Sequence, residues 1–220
     1  LPQAMVNFLA LLGWSLDDRT ELLSCQELIE HFSLERVSKT AAIFDKRKLE
    51  WMNGVYVRQL SSEEFVQLAT PFLDRDLPPS IKRPLDNDYI YRIMPLLQER
   101  AKTLAEVSQL ADFFFLDDLE YNAGLLLSDG LNADSATSAI EIALPRLEAV
   151  EPWDTGSLEA MLRPLAAELK LSTRKFFGLL RTATTGRIAA PPLFQTMAVL
   201  GKEKCLDRIN AALQRLSAWR

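Results

Sequence analysis

The apolar positions of this 220-residue chain recur almost throughout with the period of a helix. "LPQAMVNFLALLG", at residues 1–13, has a proline suited to a first helical turn and a glycine suited to ending one. "SCQELIEHF" sets Glu27 three residues after Ser24, the spacing of a capping box, and "SSEEFVQLATPFL" repeats it with Ser61 and Glu64 before meeting Pro71. "DSATSAIEIALPRL" and "TGSLEAMLRPLAAELK" keep helical spacing, yet Pro145 and Pro164 are expected to kink or end them. "STRKFFGLLRTA" and "APPLFQTMAVLG" follow. In "KEKCLDRINAALQRL", Leu206, Ile209, Leu213 and Leu216 form a stripe of helical spacing. The class predicted is all-α.

The stretch from Arg36 to Leu60, "RVSKTAAIFDKRKLEWMNGVYVRQL", holds two faces. At about 100° per residue, Leu49, Met52, Tyr56 and Leu60 gather as a stripe expected to be buried. Lys48, Trp51, Val55 and Arg58 gather on a neighbouring face, an indole among cations in an acidic protein. Asn53-Gly54 is also the signature of a two-residue hairpin turn. Helix formers in "FDKRKLEWM" and apolar spacing that continues past the glycine favour a helix. Gly54 then costs about 1 kcal/mol against alanine, which makes sense if something packs close to it.

Two stretches read as linkers, "RDLPPSIKRPLDND" (Arg75 to Asp88) and the shorter "EPWDTGS" (Glu151 to Ser157). The organisation expected is a small N-terminal helical unit over residues 1–62, then helical bundles over 63–150 and 151–220. The 48% hydrophobic content suffices for a substantial core or two or three small ones. Cys25 and Cys205 lie far apart and form no CxxC pair, which suits a reducing, cytoplasmic setting and argues against a disulfide framework or a zinc site. The densest apolar run, "ADFFFL", is far short of a membrane span. The chain starts at Leu1 rather than methionine and has no signal-peptide pattern; a piece of a longer protein is the expectation.

A net charge of −5 by itself argues against nucleic-acid binding, but the charge is unevenly spread. Residues 103–162 carry twelve acidic side chains and one basic one, Arg146. Residues 163–220 carry eleven basic side chains against Glu168, Glu203 and Asp207. Such asymmetry suits a polyanion at one end. It equally suits two helical surfaces that attract each other, and charge alone does not choose between them.

Catalytic motifs are lacking. His31, the one histidine, ends a helical pattern, where a cation favours the helix terminus, and no nucleophile motif accompanies it. Asp117 and Asp118 lack metal-loop spacing and read as part of a solvated face. "FFGLLRTATTGR" has neither GxxxxGK[ST] nor GxGxxG and is not a phosphate loop. Phe113, Phe114 and Phe115 read as core.

"LPQAMVNFLALLGWS", "ELIEHFSLERVSKTAAIFDKRKLEWMNGVYVR" and "GRIAAPPLFQTMAVLGKEKCLDRI" resemble successive pieces of the C-terminal half of bacterial glutamyl-tRNA synthetases, class I ligases. The resemblance spans essentially the whole chain; it is most specific in "FDKRKLEWMNGVYVR" and "PPLFQTMAVLGKE" and weakest over 103–151. It implies a helical stem-contact domain followed by two helical anticodon-binding bundles. The HIGH and KMSKS signatures that hold ATP and drive adenylate formation in the family are absent from this sequence. The chain alone is therefore expected to be inactive and to hold no cofactor, ATP and Mg2+ belonging to the catalytic domain of the complete polypeptide. The partners implied are tRNA(Glu) and that catalytic domain, with no DNA and no membrane.

By the same resemblance Lys48, Trp51 and Arg58, with Ser38 upstream, occupy positions that touch the inner corner and D-stem side of tRNA. The chemistry agrees, since cations neutralise phosphates and an indole can lie on ribose or a base. Val55 stands where other members carry a further basic residue, so one phosphate contact is expected to be missing. Arg100, in "LLQERAKTL", matches a position where the family toggles between arginine and other residues according to the third anticodon letter. A guanidinium fork can pair with a base edge, so a discriminating enzyme is expected; the competing reading is a helical arginine paired with Glu99 or Glu106. Arg181 matches a second anticodon contact. Leu193 and Phe194, after Pro191-Pro192, match a helix start that packs on unstacked anticodon bases, with a core role for Phe194 as the competing reading. Pro192 replaces the glycine of some members. The alternative to all of this is a helical protein-interaction module without RNA binding, docking a basic partner, or the basic end of another copy, through residues 103–162.

Overall fold

The computed structural model describes residues 1–38 and 42–219, with side chains described for all of these but 128 and 129. Among them lie eleven α-helices, two 3-10 helices and no strand. Among the described residues no helix is long and apolar enough to cross a membrane. By contact the chain divides into two units, residues 1–76 with 97–109, and residues 77–96 with 110–220.

The first unit holds α1 (Pro2–Ala10), α2 (Cys25–His31), a 3-10 turn at Leu34–Arg36, α3 (Lys46–Gln59) and α4 (Ser62–Asp76). Both capping boxes form. Ser24 Oγ accepts from Glu27 N while Glu27 Oε2 accepts from Ser24 N, and Ser61 and Glu64 do the same. Each such cap is worth about 1 kcal/mol. α1 packs on α2 and α3 over Phe8, Trp14, Leu23, Leu28, Met52 and Val57, all buried. A polar knot sits among them: Asn7, fully buried, accepts from Leu23 N and from the Tyr56 hydroxyl. That hydroxyl also lies 2.8 Å from Leu23 O.

α3 is continuous through Asn53-Gly54, so the hairpin alternative does not occur. Its buried face differs from the stripe expected. Met52, Asn53, Gly54 and Val57 are buried, whereas Leu49, Tyr56 and Leu60 are only half-buried. The shift has a cause: the chain at Ala101 and Lys102 packs on Gly54, drawing that side of the helix inward.

The second unit is built from α5 (Asn87–Gln98) and α6 (Glu106–Phe115), whose remaining turns belong to the first unit, then a 3-10 segment at Ala123–Gly130 and α7 (Ala133–Glu148). After these come α8 (Thr155–Glu168), α9 (Thr173–Thr185), α10 (Leu193–Leu200) and α11 (Lys202–Ala218). α11 packs on α7, α9 and the 3-10 segment, and α10 packs on α8. Pro145 and Pro164 lie within α7 and α8 without ending them. Each removes a single intrahelical donor close to a C-terminus, while Leu144, Leu147, Leu162 and Leu165 hold the flanking turns in the core. α11 buries Cys205, Arg208, Ile209, Ala212 and Leu216; Leu206 and Leu213 of the expected stripe are half-buried.

The proline-rich stretches are pinned. Leu77, Ile81 and Leu85 are buried, and the Arg83 guanidinium donates to the carbonyls of Ile81 and Leu77. Trp153 Nε1 donates to Met197 O at 2.9 Å, and Asp154 caps α8. Phe113 and Phe114 are buried as expected, with Phe115 half-buried.

Candidate nucleic-acid interface

α3 starts unusually for a stable helix. Lys46, Arg47 and Lys48 fill its first turn and no acid accompanies them there. Cations at the positive end of a helix dipole are unfavourable by about 0.3–1 kcal/mol each. Asp45, as N-cap, offsets this by accepting from Arg47 N and Lys48 N at 2.9 and 3.2 Å. A helix N-terminus lined with cations is poor for folding and favourable for a phosphate.

The outward face of α3 carries Lys48, Trp51 and Arg58. Trp51 is 46% exposed. Lys48 Nζ is held 2.7 Å from Glu21 Oε1, an ion pair open to solvent. Arg58 is exposed and, among the described residues, has no ion-pair partner. Upstream, Ser38 is exposed, and its backbone N–H donates to Gly13 O at 2.6 Å. Within the motif "RVSKT" that carries it, Lys39 and Thr40 lie outside the described residues.

Arg100 is not in a helix. It lies in the turn after α5, its N–H donating to Leu97 O. Its side chain is exposed and makes no ion pair with Glu99 or Glu106. The turn is anchored to α3. Gln98 Nε2 donates to both Val57 O and Leu60 O at 2.9 Å, sharing Val57 O with the cap bond from Leu60 N. A methyl group placed on Gly54 would lie 3.3 Å from Arg58 Nη1 and 3.4 Å from Lys102 Cα. Arg58 and the chain at Lys102 therefore converge on one spot, with Arg100 two residues away. Lys102 is itself exposed and without an ion pair among the described residues. Nothing in the sequence marks it, because its place depends on a turn folding back on a glycine some fifty residues earlier.

The remaining candidates belong to the second unit. Arg181 is half-buried in mid-α9; its carbonyl accepts from Thr184 and Thr185 hydroxyls. Leu193 and Phe194 open α10 and are 4% and 9% exposed. The Phe194 ring stands edge-on to Phe177 at 5.1 Å. Both side chains face inward, and Pro192 and Gln195 are the exposed residues at that helix start. The candidates thus form two groups: Ser38, Lys48, Trp51, Arg58 and Arg100 in the first unit, and Arg181, Leu193 and Phe194 in the second. Asp117 is solvated and pairs with Lys204 at 3.3 Å. Among the described residues no group of His, Cys, Asp or Glu is arranged to hold a metal ion.

Residues 64–213 match the family described as anticodon binding domain, and residues 1–51 match the catalytic domain of class I tRNA synthetases (E and Q). The chain belongs to the anticodon-binding domain family. Over nearly its whole length it matches the C-terminal half of glutamate–tRNA ligases. It is 52% identical to one from Dehalococcoides mccartyi, over 99% of this chain and 45% of that protein. It is 44% identical to one from Roseiflexus castenholzii, over 99% of this chain and 43% of that protein. Its fold superposes with a TM-score of 0.81 on the crystal structure of a glutamate tRNA ligase from Elizabethkingia meningosepticum, at 24% identity, covering 97% of this chain and 41% of the other. The chain thus spans less than half the length of the curated relatives it matches.

Proposed function

We propose that this chain recognises tRNA(Glu) for a glutamate–tRNA ligase whose complete form attaches glutamate to that tRNA. ATP and Mg2+ would be held by the catalytic domain of the same polypeptide, so this chain alone would be inactive. The observation that carries the reading is the solvent face of α3. Its half-exposed indole stands beside cations in a helix whose first turn opposes its own dipole, and residues 64–213 match an anticodon-binding family.

In this reading residues 1–62 serve stem contact, 63–150 and 151–220 the anticodon, and the protein works in the cytoplasm. Lys48 and Arg58 neutralise phosphates at the tRNA corner, with Ser38 beside them, and Trp51 lies on ribose or a base. Arg100 reads the third anticodon letter through its guanidinium fork. Arg181 and the start of α10 at Leu193 and Phe194 serve the anticodon bases. Because those two side chains are buried, α10 would contribute its backbone and the exposed Gln195 at that end.

The test is binding of this chain to a glutamate tRNA transcript at two salt concentrations, beside transcripts with the third anticodon letter changed from C to G. Salt-sensitive binding that weakens with the letter change, and loses that preference in Arg100→Gln, is the result expected. Binding indifferent to the letter leaves a tRNA-binding chain without the Arg100 role. No binding in either condition favours protein docking instead, or a chain that binds only together with its catalytic domain.

A further inference from the structure

Asn53 and Gly54 serve none of the contacts assigned above, yet both are buried and both are met by residues from outside α3. Asn53 is 7% exposed and bonded on both sides of its amide. Its Oδ1 accepts from the Leu1 nitrogen at 2.6 Å, and its Nδ2 donates to Lys102 O at 2.5 Å. Gly54, next to it, leaves only enough room for Lys102 Cα and Arg58 Nη1 to close on the helix. One turn further on, Gln98 fastens the other end of the same turn to Val57 O and Leu60 O. Asn53 and Gly54 at one end, and Val57 and Leu60 at the other, thus hold residues 98–102, and the residue in the middle of that span is Arg100.

We propose that Asn53 and Gly54 are positioning residues for anticodon selectivity: they form the seat that fixes the Arg100 turn on α3. This rests on the reading of Arg100 as the residue that senses the third anticodon letter. An arginine on a free turn attracts any phosphate, whereas discriminating one base edge from another needs the guanidinium held to a fraction of an ångström. The short loop cannot supply that rigidity itself, since Arg100 has exposed surroundings and no ion pair among the described residues to hold its side chain. The seat supplies it through the backbone, with one side-chain amide bond, one missing Cβ and one glutamine. It also places Arg58 against Lys102, so the corner-binding face of α3 and the base-reading turn move as one body.

Asn53→Asp is the sharpest probe. It is isosteric, keeps an oxygen facing the Leu1 nitrogen, and replaces the donor to Lys102 O with an oxygen that repels it. Gly54→Val is an independent probe, because its branched side chain requires Lys102 Cα to move. Each variant of the 220-residue chain is measured for binding to glutamate tRNA transcripts carrying C or G as third letter, with circular dichroism melts in parallel. A single paired base contact should give wild type roughly a 5- to 150-fold preference for C. Both variants should lose most of it, whereas any change in overall binding or in salt dependence, from the added carboxylate or from Arg58 shifting beside Gly54, should be the same for both letters. Adding Asn53→Asp to Arg100→Gln should alter the letter ratio no further, since both act through one contact. If Asn53→Asp melts below the assay temperature, Gly54→Ala, which demands a smaller displacement, takes its place. Retention of the wild-type letter ratio in both variants, while Arg100→Gln loses it, overturns the seat and leaves the Arg100 reading intact. Retention of the ratio in Arg100→Gln itself overturns that reading, and the seat with it.

Discussion

Arg208 and Phe113 are 95 residues apart in the chain and are joined by a 2.7 Å hydrogen bond from the guanidinium to the phenylalanine carbonyl. Arg208 is 4% exposed and faces no carboxylate within ion-pair distance among the described residues. It donates to three carbonyls, Phe113 O and Leu116 O at the end of α6 and Thr184 O near the end of α9. A cation is tolerated there because helix C-termini gather carbonyls carrying partial negative charge. Burial nevertheless pushes its pKa below the ordinary arginine value. Arg208→Lys keeps the charge but cannot reach all three acceptors, leaving buried carbonyls unpaired. It should destabilise the protein by about 2–4 kcal/mol in urea unfolding. A loss under half a kilocalorie would mean that water replaces the fork.

The same helix holds the better protected of two thiols. Cys205 is fully buried, and burial raises its pKa to about 12. Cys25 is exposed at the start of α2. A thiol reagent at neutral pH should therefore label one equivalent promptly and the second only on unfolding. Prompt labelling of both would show α11 opening locally.

Lys170 is the one described residue other than glycine with a positive φ, 55°. It ends α8 as a left-handed cap: Lys170 N donates to Ala167 O and Leu171 N to Ala166 O, both at 3.0 Å. Helices that end this way favour glycine at that position. Lys170→Gly should stabilise the chain by about 0.5–1 kcal/mol, a rise of roughly 1–4 °C in Tm. A fall in Tm would show that the lysine side chain contributes contacts outweighing the strain.

What the sequence disclosed follows from how local each feature is. Ser24 with Glu27 and Ser61 with Glu64 are three-residue signals completed by their own helices, and both formed as spaced. The solvent side of α3 was legible because Lys48, Trp51 and Arg58 share a face whatever packs behind them. The core side was not, since burial of Asn53 and Gly54 depends on residues 98–102 arriving from elsewhere. Gly54 hinted that something comes close but could not name Lys102. Arg208 is one of the eleven basic residues of the C-terminal stretch whose charge suits a polyanion, yet it is buried. Periodicity assigns an arginine to solvent unless the carbonyls that will receive it are known. The competing reading puts Arg100 on a helix; it lies just past the end of one, a matter of a residue or two that cap chemistry decides.

The acid limb of stability should come from caps rather than from buried ion pairs. Backbone hydrogen bonds hold Asp154, Asp17 and Glu27 below their ordinary values of 3.8, 3.8 and 4.5. Their partners are Ser157, the Arg19–Thr20 turn and Ser24 respectively. Since the folded pKa values are the lower ones, the unfolded chain binds more protons in acid. The stability these groups give is present above their ordinary values and is lost as pH falls through the folded ones. Tm should stay level down to about pH 5 and then fall, and Asp154→Asn should reduce the steepness of that fall. An unchanged acid limb in Asp154→Asn would place the titration elsewhere.

Lys48 enters RNA binding already engaged, because Glu21 Oε1 stands 2.7 Å from its ammonium. With side chains 35% and 50% exposed, the pair is worth no more than about 1 kcal/mol. A phosphate must still displace the carboxylate, or bind beside it against its charge. Removing the carboxylate and removing the cation should therefore act in opposite directions. Glu21→Gln should tighten binding to the glutamate tRNA transcript by up to roughly fivefold, most at low salt, where repulsion between carboxylate and phosphate is least screened. Lys48→Gln should weaken binding for either anticodon letter and lower the slope of log K against log salt by about 0.7–0.9, one phosphate contact. In the double variant the gain from Glu21→Gln should shrink, since that part of it which comes from freeing Lys48 has no lysine left to act on. If Glu21→Gln binds no more tightly than wild type while Lys48→Gln keeps the full salt slope, the outward face of α3 does not meet the RNA backbone at Lys48.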